Sequence, residues 1–275
     1  MKSNTLALPA RVKPQTRPTL YWTLADMFVL AKRQLVRMQR SPVDLVIWTL
    51  QPVLILVLIR CVFGGAIAVA GTSYVNYLVT GFLVIAVLLG SGPTGVGMAT
   101  DIKRGLVDRF RSLPMARSAV LTGRALSDLL RSILIALVTL AVGLLIGFRP
   151  AGTVLEWVAA LGLLSLGSLL FIWLSALLGL VLKSAEAVVG AVVIYSYLLM
   201  FTSNAMAPTS AMPTWTRAFA EHQPVTLIIS AVRGLLLNQP DAQAAWQALA
   251  WCVGLLVILI PLTIWAYGHR TVRAT

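Results

Sequence analysis

The decisive stretch is residues 101–124, DIKRGLVDRFRSLPMARSAVLTGR, a basic and helix-competent segment in a very apolar chain. Apolar segments long enough to cross a bilayer flank it on both sides. A membrane protein that concentrates its charge in one internal loop is expected to present that loop to a soluble partner, as a helix lying in a groove of that partner. The alternative is that these charges only fix the topology.

Composition places the chain in the membrane. Its 275 residues are 59% hydrophobic and only 11% charged, and the mean hydropathy is +0.88. A soluble domain of this length needs far more polar surface. We therefore predict an all-α polytopic membrane protein with six transmembrane helices.

The net charge of +13 is interpreted as a topology signal, because the charges cluster between apolar spans. The amino-terminal segment, residues 99–131, Lys183 and the carboxy-terminal tail hold eighteen of the 22 lysines and arginines. The positive-inside rule then puts both termini in the cytoplasm of a multi-pass plasma-membrane protein. No nucleic-acid partner is expected.

The chain divides into a tail, an interfacial helix and a membrane domain. Residues 1–19 are predicted as a disordered cytoplasmic tail, and residues 20–41 as an amphipathic helix with a basic face that contacts membrane lipids. The membrane domain spans 42–268, and 269–275 form a second cytoplasmic tail. The predicted spans are 43–63, 77–98, 125–147, 154–182, 187–205 and 245–268, with a charged loop at 99–124 and an external helical hairpin at 206–244.

One stretch near the end of the second span departs from regular helix in its composition. Residues 90–97, GSGPTGVG, are glycine-rich, which predicts a bent or loosened segment beside the charged loop.

No catalytic motif is present in the sequence. The pattern GxxxxGK[ST] is absent, so no P-loop cradles phosphates here. The chain is therefore predicted to be a non-catalytic subunit with no cofactor or metal of its own. If transport is driven by ATP, the ATP and Mg²⁺ are expected on a separate subunit.

The loop resembles a known family. The run RGLVDRFRSLPMAR at 104–117 is similar to the signature loop of ABC-2-type export permeases, above all the daunorubicin-resistance group. In that family the loop contacts the ATP-binding subunit, which implies coupling roles for the matching positions. The coupling residues predicted in and beside the loop are Asp101, Lys103, Arg104, Gly105, Asp108, Arg109, Arg111, Leu113 and Pro114.

A second resemblance covers residues 205–238, which are similar to the family's external segment before the last span. The sequence itself predicts a helix broken at Pro224 and a very apolar helix after it. Such a pair of short helices either closes the outer end of a translocation route or forms a packed cap with no gating role. The external-gate residues predicted here are Trp215, Phe219, His222, Pro224 and Arg233.

Polar residues are sparse in the predicted spans, and the fifth span has the densest set. Either they line the route or they bond helix to helix. The predicted lining residues are Tyr195, Ser196, Tyr197, Thr202, Ser203 and Asn204. No chain of buried ionisable residues is expected through the membrane, which argues against a proton relay.

The sequence thus predicts the permease subunit of an ATP-driven exporter for a hydrophobic drug, antibiotic or lipid-like metabolite. Its expected partners are an ABC ATP-binding subunit and a second copy or a related permease. The alternatives are a permease for polysaccharide or glycolipid, a proton-coupled secondary carrier, and a membrane scaffold or immunity protein.

Overall fold

A computed structural model describes residues 42–67, 69, 71–103, 117–182, 184–239 and 241–270. The predicted amphipathic helix, the tail 1–19, residues 271–275 of the second tail and the central part of the loop, 104–116, lie outside the described residues.

The described residues form helices and connecting turns, with no strand. We number the helices in chain order. They are α1 (Pro42–Phe63), α2 (Tyr74–Gly90), α3 (Gly92–Lys103), α4 (Arg117–Leu145), α5 (Val154–Val181), α6 (Ala185–Phe201), a short 3₁₀ turn (Thr209–Ala211), α7 (Thr214–His222), α8 (Pro224–Leu236) and α9 (Ala242–Arg270).

Five helical stretches are long and apolar enough to cross a membrane, with α2 and α3 counting together as Tyr74–Lys103. The prediction of an all-α polytopic membrane protein is confirmed. The helix in the place of the predicted fifth span, α6, has only 17 residues and ends at Phe201, whereas the sequence predicted continuation to residue 205. Its length is at the lower limit for a span.

Capping side chains fix where several helices begin. Ser73 accepts a hydrogen bond from the backbone of Asn76 at the start of α2, and Ser184 does the same for α6. Thr153 and Glu156 form a complete capping box on α5. Each cap satisfies a backbone N–H group that the helix itself leaves without a partner.

The helix is interrupted between α2 and α3, as the glycine-rich sequence predicted, but over a shorter distance. Only Ser91 leaves the helix, and residues 92–103 are helical again. The prediction of a loosened segment through residue 97 was wrong because tertiary packing overrides the low helix propensity of glycine. A Cβ atom at Gly95 would collide with the backbone oxygen of Ser175, and one at Gly179 would collide with the backbone of Gly95.

Helices α2 and α3 form the centre of the bundle. In the Tyr74–Lys103 stretch 89% of the most apolar window is buried, against 17% in α1 and 28% in α9. Helix α5 packs against α2, α3, α4, α6, α8 and α9. The two outer helices therefore present apolar faces to lipid or to another protein, while α3 lies enclosed next to the charged loop.

Candidate functional site

The charged loop connects the end of α3 to the beginning of α4. Of the nine predicted coupling residues, the structure describes two: Asp101 is partly buried and Lys103 is exposed. The other seven lie within residues 104–116, outside the described part. The structure does describe α3 and α4, the two helices that the loop connects.

An ion pair joins these two helices close to the loop. The guanidinium of Arg124 on α4 donates a hydrogen bond to the carboxylate of Asp101 on α3, with 2.5 Å between Nη1 and Oδ2. Both side chains retain less than a fifth of their exposure. Arg124 also approaches Asp128, one turn further along α4, at 3.8 Å. Low exposure makes this contact less screened than an ordinary surface pair.

Asp128 lies deeper and is fully buried. Its carboxylate accepts a hydrogen bond of 2.7 Å from the hydroxyl of Thr94, in the first turn of α3. It also pairs with Arg131 at 3.1 Å. A buried carboxylate of this kind persists because charge and hydrogen bonding offset the cost of removing it from water.

Arg131 completes the chain of contacts. It is 7% exposed and lies midway along α4. One of its Nη atoms donates a hydrogen bond of 3.3 Å to the carbonyl of Gly90, the last residue of α2. Four ionisable side chains therefore run from the loop to the helix interruption at Ser91. The sequence predicted no chain of buried ionisable residues through the membrane, and this one extends only from the loop to Ser91.

A cluster of three hydroxyl groups lies at the interruption itself. The side chains of Ser91, Ser175 and Tyr195 are mutually within 2.7 to 3.2 Å, and Ser91 also donates to the carbonyl of Leu88. Tyr195, one of the predicted lining residues, joins α6 to the interruption and to α5 through these hydrogen bonds.

The other predicted lining residues do not gather around one space. Tyr197 accepts a hydrogen bond from Gln51 on α1, and Asn204 donates one to Ser230 on α8. Thr202 and Ser203 each donate a hydrogen bond to a carbonyl of their own helical turn. The hydroxyl of Ser196 is buried without a hydrogen-bond partner among the described residues. The structure favours helix-to-helix bonding for this set. The outward face of α6 is apolar, with Ile194 70% exposed.

The predicted external hairpin contains two short helices of different character. Helix α7 is exposed: Trp215 and Phe219 lie one turn apart and are 78% and 50% exposed. His222 at its end contacts the carbonyl of Ala218. Helix α8 begins at Pro224, which occupies the first turn where a missing N–H is tolerated, and most of its residues are buried.

Arg233 anchors α8 to the beginning of α2. Its guanidinium donates to the carbonyls of Tyr77 and Asn204, at 3.2 and 2.9 Å, and to the hydroxyl of Thr80. It also lies over the ring of Tyr77, 3.5 Å from the centroid. No carboxylate forms an ion pair with it within the part of the chain that the structure describes. Of the predicted gate residues, Arg233 is thus the one that packs inward.

Comparison with known proteins agrees with this architecture. The family model described as ABC-2 type transporter matches residues 25–237. The daunorubicin resistance ABC transporter permease protein DrrB1 of Streptomyces coeruleorubidus is 32% identical, over 96% of this chain and 92% of its own length. The probable doxorubicin resistance ABC transporter permease protein DrrC of Mycobacterium tuberculosis is 27% identical, over 90% and 89%. The putative transport permease ycf38 of Cyanophora paradoxa is 26% identical, over 79% and 76%.

Proposed function

The chain belongs to the ABC-2 type transporter family, and we propose that it is the membrane-spanning permease subunit of an ATP-driven exporter. The observation that carries this proposal is the near full-length similarity to permeases named for daunorubicin and doxorubicin resistance. The cargo class is accordingly a hydrophobic drug, antibiotic or lipid-like metabolite moved out of the cell.

The energy for export comes from a separate ABC ATP-binding subunit that holds ATP and Mg²⁺. The sequence contains no P-loop of its own. The loop around residues 104–116 is the contact with that subunit, and ATP-driven closure of the soluble subunits displaces it. The ion pair between Asp101 and Arg124 supports this role, because it holds together the two helices that carry the loop.

The pathway forms between two permeases, either two copies of this chain or this chain with a relative. The outward face of α6 carries large apolar side chains, namely Val189, Val193, Ile194, Leu198 and Phe201. An apolar face that meets a second permease suits lipophilic cargo. The 206–244 segment closes the outer end, with Trp215 and Phe219 at the surface and Arg233 anchoring α8.

Orientation follows from charge. Eighteen of the 22 basic residues fall on the side of the termini and the loop if the chain crosses the membrane six times. Both termini then lie in the cytoplasm, by the positive-inside rule. Reporter fusions at each terminus and at residue 211 test this arrangement, with residue 211 expected on the opposite side from both ends.

Export by charge-reversed loop variants tests the proposal. Asp108→Lys and Arg109→Glu are each expected to abolish ATP-dependent uptake of doxorubicin into inverted membrane vesicles, because each places a wrong charge at the contact. The matched controls Asp108→Glu and Arg109→Lys keep the charge and are expected to transport. Normal uptake by both reversed variants at wild-type expression contradicts the coupling role.

A further inference from the structure

Helix α3 is held to α4 at both of its ends. At its last turn Asp101 pairs with Arg124, and at its first turn Thr94 donates to Asp128. Just before α3 begins, Arg131 reaches the carbonyl of Gly90. These contacts come from one side of α4, because residues 124, 128 and 131 recur at spacings of four and three.

The contacts of α3 with its other neighbours have a different chemistry. Against α5 it packs backbone to backbone at Gly95 and Gly179. Against α6 it packs through Ala99, which contacts a cluster of Val188 and Val192. These close contacts are made by backbone and small aliphatic groups, and sliding of packed helices is one known form of movement, whereas the charged hydrogen bonds with α4 fix geometry.

We propose that α3 and residues 117–131 of α4 form one rigid lever, clamped by the buried charge chain and hinged at Ser91. The source of its motion, displacement of the 104–116 loop by an ATP-binding subunit, rests on the proposed function. Asp128 is the central positioning residue, since it contacts α3 through Thr94 and orients both Arg124 and Arg131. The lever ends at the hydroxyl cluster of Ser91, Ser175 and Tyr195, so its rotation rearranges α5 and α6 at that point.

The burial of these charges makes separation of α3 from α4 costly. If α3 moved independently of α4, Arg124 would lose its contact with Asp101, Asp128 would lose the hydrogen bond from Thr94, and Arg131 would lose its carbonyl partner at Gly90. Leaving such buried polar and charged groups without these partners is costly. The low-cost motion keeps every pair intact and moves both helices together. A displacement of the loop is therefore transmitted to the helix interruption at Ser91, because α3 and α4 do not separate.

The rigidity of the clamp is measured on the isolated full-length chain, without a partner or cargo. Spin labels are placed through Thr100→Cys and Leu126→Cys, with Cys61→Ala and Cys252→Ala, and labelled chain is diluted with unlabelled chain. The distribution of distances between the spin label at position 100 on α3 and the one at position 126 on α4 is expected to be narrow. It is expected to broaden when Asp128→Asn is introduced. The exposed-pair control Glu221→Gln is expected to leave it unchanged. If the distribution is equally narrow with Asp128→Asn, the clamp is overturned.

A second variant tests the same contacts in case Asp128→Asn alone misfolds. The pair Asp128→Asn with Arg131→Gln removes both charges and leaves a polar side chain at each position. The double variant is expected to insert normally and still to show the broadened distribution, because Thr94 and Gly90 lose their charged partners. A narrow distribution in this well-folded variant also overturns the proposal.

A reversible tether tests transmission. Asp101→Cys with Arg124→Cys removes the loop-end ion pair, and a cleavable bifunctional thiol reagent can replace it covalently. In vesicles carrying the ATP-binding subunit, doxorubicin uptake per ATP hydrolysed is expected to fall about tenfold without the tether and to recover with it. A tether that fails to restore uptake, or deepens the loss, shows that α3 and α4 must separate and overturns the lever. Failure of the proposed function instead removes ATP-dependent uptake from the wild type and leaves the spin-label result standing.

Discussion

Arg131 and Arg233 both reach into the body of the bundle, and they are stabilised in different ways. Arg131 is paired with the fully buried carboxylate of Asp128 and donates to the carbonyl of Gly90. Arg233 has carbonyls, a hydroxyl group and the ring of Tyr77 as partners. The first arrangement joins the helices that carry the charged loop, and the second joins α8 to the start of α2. The difference shows that the loop end depends on matched charges, whereas the other end depends on the shape of one guanidinium.

The largest expected effect comes from breaking the paired site. Asp128→Ala leaves Arg131 and Arg124 without their buried carboxylate and is expected to lower the free energy of unfolding by about 3–5 kcal/mol. Chaotrope unfolding of the detergent-solubilised chain measures it. A loss below about 1 kcal/mol, the range of exposed pairs, would mean that water screens this site. Matched charges would then not be what stabilises Arg131.

Removing both charges is expected to cost less than removing them separately. In a cycle of Asp128→Asn, Arg131→Gln and the double variant, the sum of the two single losses in unfolding free energy is expected to exceed the loss in the double variant by about 0.5–3 kcal/mol. The reason is that the second substitution removes the charge which the first left without a partner. Strict additivity of the two single effects contradicts direct pairing.

The carbonyl-bound arginine is expected to respond to shape instead of charge. Arg233→Lys keeps the positive charge but loses the planar group that bonds two carbonyls and covers a ring, at an expected cost of about 1–3 kcal/mol in the same unfolding assay. Tyr77→Phe, which keeps the ring and the backbone carbonyl, is the matched control and is expected to cost less. Equal losses in the two variants would assign the contact to the Tyr77 hydroxyl.

The smallest effect is expected at the exposed ion pair of α7, which gives the baseline for both buried sites. The hydrogen bond from Arg217 lowers the pKa of Glu221 below its ordinary 4.5. The pair therefore stabilises the fold above that ordinary pKa, and the contribution is lost as the pH falls through the lowered value. Glu221→Gln is expected to lower the thermal stability only slightly at neutral pH, by less than about 1 kcal/mol, and to make the stability slightly less dependent on pH in acid. A clear loss at neutral pH contradicts the assignment of this pair to the solvated surface.

Much of the fold follows from the sequence because bilayer dimensions dictate helix length and composition. Apolar runs predicted the helices, the composition of residues 90–97 predicted a departure from regular helix somewhere in that stretch, and Pro224 predicted the start of α8. The exact extent of the interruption was not predictable, since the close contact between Gly95 and Gly179 belongs to tertiary packing.

The charge chain was missed for a specific reason. The predicted third span began at residue 125; Arg124 and Arg131 were counted only as topology signals, and Asp128 was given no role. The structure starts α4 at Arg117, which places the three residues on one side of a long helix. Their spacing was the available signal, because ionisable residues at helical intervals inside an apolar run are expected to face a partner. Arg233 was similarly counted as an external charge, and no local pattern predicts that it binds carbonyls from two other segments.

The most direct test of the proposed permease function is co-purification of the tagged chain from its own host membranes in mild detergent, with mass spectrometry of the proteins that accompany it. A stoichiometric subunit with a P-loop ATPase motif is expected, retained with Asp108→Glu and lost with Asp108→Lys combined with Arg109→Glu. Recovery of the chain without any such subunit, in detergents that preserve known transporter complexes, would contradict that function.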